Sequence, residues 1–204
     1  MTGPHRRDVE AFDERAPGYE SGWLGRLHHD IADRSAALVL RSGPAPVHVL
    51  DVGCGTGYLL RHLAQSCPAA EDLVGIDPAA SMVEQARARA QDNRLRFSSG
   101  TAEHLAFANA SFDVVVSTTS FDHWLDQGAG LLECARVLSP GGRIVLVDQF
   151  SLLLVPTMVG DRRGKARTRR RASTLLRRAG FDNLRWHRVY SLIIAGVTAT
   201  VPSR

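Results

Sequence analysis

The chain has 204 residues, 44% of them hydrophobic and 23% charged, as expected of a single water-soluble globular domain (1–204). The opening MTGPHRRDVEAFDERAPGYE has no apolar signal segment and no uncharged apolar run is long enough to span a membrane, so a cytoplasmic protein without a membrane span is expected. The net charge of +4 is local: residues 162–178, RRGKARTRRRASTLLRR, hold nine cations and no acid, which leaves −5 for the rest and argues against a general nucleic-acid-binding surface.

Along the chain, strand patterns alternate with helix patterns. Residues 20–41 place Leu24, Leu27, Ile31, Ser35, Leu38 and Val39 near helical spacing. Residues 47–52 form a short β-branched run, the first strand, and 57–66 its helix. Strands are predicted over 73–77, 94–98, 112–117 and 143–148, with helices over 79–92, 128–138 and 168–179. The strand at 112–117 is apolar on both faces and therefore central. Ser139-Pro140-Gly141-Gly142 reads as a stop and turn before the fifth strand. Residues 184–191 and 192–201 read as a final antiparallel pair. Such alternation predicts an α/β fold, a parallel sheet covered by helices on both faces.

The stretch Val49-Leu50-Asp51-Val52-Gly53-Cys54-Gly55-Thr56-Gly57 carries the most chemistry. Glycines at two-residue spacing between a strand and a helix let the backbone turn tightly and let a ligand approach the main chain. A dinucleotide site wants G-x-G-x-x-G against a pyrophosphate. Here Asp51 precedes the glycines, and a carboxylate there repels a pyrophosphate and attracts a cation, such as an amino-acid ammonium.

At this point the sequence resembles the class I S-adenosylmethionine-dependent methyltransferases, whose V/I-L-D-x-G-C-G-T-G motif holds the methionine end of the cofactor. The resemblance covers about residues 10–200 and points to the small-molecule, type 11 (UbiE-like) group. It implies a Rossmann-like seven-stranded, mostly parallel sheet with the last strand antiparallel beside the fifth. It also implies S-adenosyl-L-methionine as cofactor and S-adenosyl-L-homocysteine as product.

The resemblance places cofactor residues along the carboxyl edge of the sheet: Asp51, Gly53, Cys54, Gly55 and Gly57 in the turn, then Asp77-Pro78 after the second strand. Asp77 lies about 20 residues past the glycines, where an acid accepts ribose hydroxyls, although it also suits a helix N-cap. Met82 is placed against adenine, or is plain core. Gly100-Thr101-Ala102-Glu103-His104-Leu105-Ala106-Phe107 resembles the family's adenine loop G-D-A-E-x-L-P-F. Thr101 departs from it by replacing the acid, so Ala102 N–H and the Glu103 carboxylate become candidate contacts. Phe12-Asp13-x-x-Ala16-x-x-Tyr19 resembles a lid within residues 1–45, with Tyr19 either closing over the methionine end or anchoring the N-terminal helix.

After the fourth strand comes Thr118-Thr119-Ser120-Phe121-Asp122-His123-Trp124, with Thr118 at the cofactor side. The N/D-P-P-Y/F motif of amine methyltransferases is missing, which argues against N-methylation of a nucleobase. His123 brings an imidazole, the side-chain type whose unperturbed pKa lies near neutrality, and Asp148 ends the neighbouring strand. Relatives that methylate sugar and polyketide hydroxyls resemble the chain at both places. The reading is a general base, His123, oriented by Asp148, with Asp122 as an alternative base. The bland reading makes His123 a helix cap and Asp148 an acceptor for a backbone amide.

Cys54, Cys67 and Cys134 are odd in number and widely spaced, and His28-His29 point about 100° apart on a helix, so neither a disulfide frame nor a metal site is expected. The expected partner is a small-molecule acceptor, on a monomer or homodimer, with residues 150–171 as a variable acceptor-side insert. Two alternatives stay open: an RNA methyltransferase using the basic strip, and a cofactor-binding module without catalysis.

Overall fold

A computed structural model describes residues 4–150, 168–190 and 193–203. Seven strands form one sheet in the order β3-β2-β1-β4-β5-β7-β6. They are β1 (His48–Val52), β2 (Asp72–Asp77), β3 (Leu95–Ser99), β4 (Phe112–Thr118), β5 (Leu138–Gln149), β6 (Asp182–Tyr190) and β7 (Ile194–Thr200). The first five run parallel, and β7 is antiparallel to both β5 and β6. The helices are α1 (Pro4–Arg15), α2 (Gly22–Arg41), α3 (Tyr58–Ser66), α4 (Ala80–Ala88), α5 (Gln127–Val137) and α6 (Arg169–Arg178). None of those described is long and apolar enough to cross a membrane.

The period of two along each strand explains the layering. On one face Leu50, Val115 and Leu146 pack with Leu131 of α5 and Leu176 of α6. On the other, Val49, Val114, Val116 and Val145 pack with Leu38 of α2 and Leu60 of α3. Central strands covered on both sides read as unbroken apolar runs, which is why β4 was legible in the sequence. Since β1 pairs with β2 on one side and β4 on the other, the strand order reverses between β1 and β4. Ligands of such sheets bind beyond the carboxyl ends at that reversal.

Two elements differ from the sequence-based expectation. Residues 4–15 form a helix that the pattern did not predict; Val9 and Phe12 pack with Ala16, Tyr19, Ala79 and Met82, so α1 lies against α4. Its only sequence signal is the 3-4-3 spacing of Val9, Phe12, Ala16 and Tyr19. Second, β5 begins at Leu138 rather than Arg143. Ser139 to Gly142 make a bulge within the strand: the register jumps from Phe112↔Leu138 to Val114↔Arg143, and Gly141, at φ 77°, donates its N–H to Pro202 O. Of the predicted 150–171 insert, residues 151–167 lie outside the described residues.

Candidate active site

The glycine turn is built by contact as much as by backbone freedom. Gly53 N and Cys54 N both donate to Ile76 O at 2.9 Å, which lashes the end of β1 to β2. Gly53, Gly55 and Gly57 all have positive φ. A Cβ at Gly53 would sit 1.9 Å from Ser120 Oγ, and one at Gly57 would sit 2.6 Å from Phe97 Cζ. At Gly55 a Cβ would meet nothing within 4 Å. Gly53 and Gly57 are therefore demanded by packing, whereas Gly55 leaves the main chain open to a ligand.

Two acids flank the turn. Asp77 accepts from Ala79 N through Oδ1 and from Gly55 N through Oδ2, both at 2.9 Å. It thus ties the glycine turn to the residue that precedes α4, while the first turn of α4 itself is met by Asp13, which accepts from Ser81 N at 2.8 Å; the helix-cap role foreseen for Asp77 is not taken up. Burial pushes its carboxyl up to about 6 against those two bonds. Asp51 is only 2% exposed, and its Oδ1 has no partner. Burial, then the charge of Asp77, pushes Asp51 up to about 8. Thr118 Oγ1 and Ser117 Oγ nearby are also buried without partners. An unpaired buried carboxylate invites a cation. The Cys54 thiol is buried and pushed well above its ordinary range, so it is no nucleophile.

Two chambers meet at the turn. The larger, about 710 Å³, is lined by Phe12, Tyr19, Gly53, Gly55, Asp77, Pro78, Met82, Thr101, Ala102, Glu103, Thr118, His123 and Trp124, among others. The smaller, about 500 Å³, is lined by Tyr19, Glu20, His28, His29, Asp51, Cys54, Tyr58 and Thr118, among others. All the cofactor and catalytic candidates of the sequence line one or the other except Gly57, which packs beneath, Asp148, and Asp122, the alternative base.

The adenine-side candidates carry structural duties as well. Met82 is 1% exposed and packs with Ala16 and Ala79 while forming a wall of the larger chamber. Thr101 bridges to His104, which closes the loop, and Ala102 is buried in the core. Glu103 accepts from Asp126 N at 3.0 Å, a bond that ties the loop to the start of α5. Tyr19 lines both chambers and stacks on His28 at 4.7 Å; burial, and then Asp77, push its hydroxyl up to about 12.

After β4 the chain makes a short helical turn, Phe121–His123, that presents His123. His123 N donates to Ser120 O at 2.9 Å, and the imidazole meets Phe12 edge-on at 5.1 Å. Asp148 is 3% exposed; it accepts from Asp122 N at 3.1 Å and from Gln149 N at 2.6 Å. Burial pushes it up to about 6 against those bonds. The backbone-amide role foreseen for Asp148 is thus present, on the residue next to His123.

Sequence reasoning missed Thr119, Ser120 and Glu20. Ser120 Oγ donates to Val52 O and accepts from Trp124 Nε1, both at 3.1 Å, which seals the turn against Gly53. Thr119 has φ 53°, a costly conformation for a β-branched residue, held by its N–H to Val147 O. Glu20 takes Arg61 Nη2 on both oxygens, at 2.9 and 3.1 Å. Thr119 and Ser120 had one signal, their place just past the central strand, and Glu20 had none. Among the described residues, no group of three or more His, Cys, Asp or Glu could hold a metal ion.

A model of the methyltransferase domain matches residues 50–146. The demethylmenaquinone methyltransferase of Deinococcus radiodurans is 38% identical over 144 residues, covering 68% of this chain and 58% of that protein. The 27-O-demethylrifamycin SV methyltransferase of Amycolatopsis mediterranei is 33% identical over 183 residues, covering 78% and 64%. The chain spans less than two thirds of either relative's length. Haemonchus contortus phosphoethanolamine N-methyltransferase 2, solved with phosphomonomethylethanolamine and S-adenosylhomocysteine, shares the fold: TM-score 0.77 at 16% identity, covering 98% of this chain and 61% of that one. The domain match runs from the first strand to the fifth, across the glycine turn whose unpaired Asp51 asks for a cation, and with it the chain belongs to the class I S-adenosylmethionine-dependent methyltransferases, in the type 11 group.

Proposed function

We propose that this chain moves the methyl group of S-adenosylmethionine to a hydroxyl of a small molecule, with His123 taking the hydroxyl proton. The reading rests on one observation: His123, presented from the end of the central strand, lines the same chamber as the glycine turn and Asp77. We read residues 1–204 as one catalytic unit, with 1–45 as its lid.

Asp51 and Thr118 suit the cofactor's ammonium, since both offer a buried oxygen without a partner. Asp77 keeps free lone pairs on both oxygens for ribose hydroxyls after bonding Ala79 and Gly55. Pro78 and Met82 on one side and Thr101, Ala102 and Glu103 on the other bracket the adenine region. Tyr19, at the seam of the two chambers, excludes water from the methionine end. When bound, the cofactor supplies a sulfonium methyl that leaves its sulfur as the new O–C bond forms. The chain's own part is to hold the acceptor in line and to take the hydroxyl proton on the His123 imidazole. Asp148 serves as a positioning residue, because its bond to Asp122 N fixes the turn that carries the imidazole. The Amycolatopsis relative's name, an O-demethyl compound as substrate, supports a hydroxyl acceptor.

Isothermal calorimetry with S-adenosylhomocysteine and turnover with a candidate hydroxyl acceptor test this together. His123→Ala should keep the wild-type cofactor affinity and lower turnover by about two to four orders of magnitude, the range for losing a general base. Full turnover in the variant would make His123 structural.

A further inference from the structure

The smaller chamber holds more orphaned polarity than an ammonium site requires. Four buried polar atoms without hydrogen-bond partners belong to residues that line it: Asp51 Oδ1, Thr118 Oγ1, His28 Nδ1 and His29 Nε2. The first two suit a cation. His28 lies on α2 across from the turn, and it cannot serve the same charge if it donates from Nδ1. Beside it begins α3, whose N-cap is Gly57 and whose first turn has no side-chain cap; Tyr58 and Leu59 of that turn line the chamber. Uncapped N–H groups and an imidazole donor favour an anion. The chamber therefore offers one end to a positive group and one to a negative group, the recognition pattern of a zwitterionic amino acid.

Resting on the cofactor reading above, we propose that His28 donates a hydrogen bond from Nδ1 to the carboxylate of the cofactor's amino-acid end, and so selects carboxylated ligands. Two other polar neighbours, His29 and Glu20, sit against groups of the chain itself. His29 stacks on Tyr58 at 3.8 Å and lies 3.4 Å from Glu20 Oε2, an electrostatic contact without hydrogen-bond geometry. Glu20 does not repel the carboxylate, since Arg61 bonds both of its oxygens. The His28 ring is held by its stack on Tyr19, with planes 21° apart. Burial, and then neighbouring His29, lower its pKa, so it meets the ligand as a neutral imidazole with one donor and one acceptor nitrogen.

The test is calorimetry on the full chain with two probes: S-adenosylhomocysteine, and its decarboxylated analogue, which keeps the amine. His28→Phe preserves a ring against Tyr19 and removes the donor. It should weaken S-adenosylhomocysteine by about 10- to 100-fold, the loss of one charge-assisted hydrogen bond, and leave the decarboxylated analogue unchanged. His28→Gln, which keeps a donor, should recover part of the loss. If His28→Phe binds both probes as the wild type does, or loses both equally, His28 is a packing residue and the proposal is overturned. If the wild type binds neither probe, the cofactor reading itself fails.

Discussion

Both ends of the central sheet bury charge, and they treat it in opposite ways. At the amino edge, Arg143 is 6% exposed and donates to Ser42 Oγ, Val39 O and Pro44 O, closing the end of α2 onto β5. Asp113 there accepts from Val47 N at 2.8 Å and His48 N at 2.9 Å. Each of these charges is consumed by backbone that would otherwise be unpaired. At the carboxyl edge, Asp51 is more deeply buried, yet one oxygen has nothing to accept from. A buried charge that meets its partners within the fold holds the fold together. One that does not is a cost that a ligand can remove.

Breaking the amino edge should produce the largest loss of stability. Arg143→Met removes the cation and takes a donor from the carbonyls of Val39 and Pro44, of which Val39 O keeps only the Ser42 hydroxyl. It should lower unfolding free energy by about 2–4 kcal/mol in denaturant titration, the range for leaving buried partners unpaired. Cofactor affinity in the folded fraction should stay at the wild-type value, since this edge lies at the far end of the strands. A variant as stable as wild type would erase the contrast.

The carboxyl edge should respond the other way. Asp51→Asn removes a buried unpaired charge, so the ligand-free chain should gain about 1–2 kcal/mol at pH 8, a fraction of the 1.36 kcal/mol per pKa unit available. It should lose about 1–3 kcal/mol of S-adenosylhomocysteine affinity, because the charge-assisted bond to the ammonium goes with it. The sign with pH follows. Asp51 is raised to about 8, and Asp77 and Asp148 to about 6, from the ordinary carboxylate value of 3.8. Between the ordinary carboxylate range and those values the folded state holds protons that the unfolded chain has released. Stability of the ligand-free protein should therefore fall as pH rises from about 4 to 8. In Asp51→Asn the part between about 6 and 8 should flatten. Thermal melts across pH, with and without ligand, read both effects.

The smallest effect is expected at the basic strip. Among the described residues the five arginines of α6 have no carboxylate partner, and Arg169 lies over the Trp186 ring at 5.4 Å. Replacing Arg169, Arg170 and Arg171 with Gln should leave S-adenosylhomocysteine affinity unchanged, with no RNA binding at physiological salt in either protein. A wild-type affinity for structured RNA that falls steeply with salt would move the acceptor from a small molecule to RNA.

Where one residue type suffices, the sequence was readable. Gly53 and Gly57 tolerate no Cβ, and the central strands, apolar on both faces, fit no exposed position. Such local demands leave a pattern of spacing. The site was less legible wherever a side chain is shared. Asp77 bonds the backbone of Gly55 and Ala79 and faces the chamber, Met82 is both core and wall, and Asp148 bonds backbone beside His123. No spacing separates two duties carried by one group.

From sequence alone followed the strand–helix alternation, the glycine turn with its preceding acid, and hence the edge of the sheet where a ligand would sit. These are set by period and by steric exclusion, which act over a few residues. The tertiary structure alone decided that α1 folds onto α4 and that His28 and Asp51 face one chamber from opposite sides. It alone decided, too, that Asp51 keeps an oxygen free while Asp113 does not. The physical reason is the same in each case: partners far apart in sequence meet only when the chain packs, and whether a buried charge is left unpaired depends on which of them arrive.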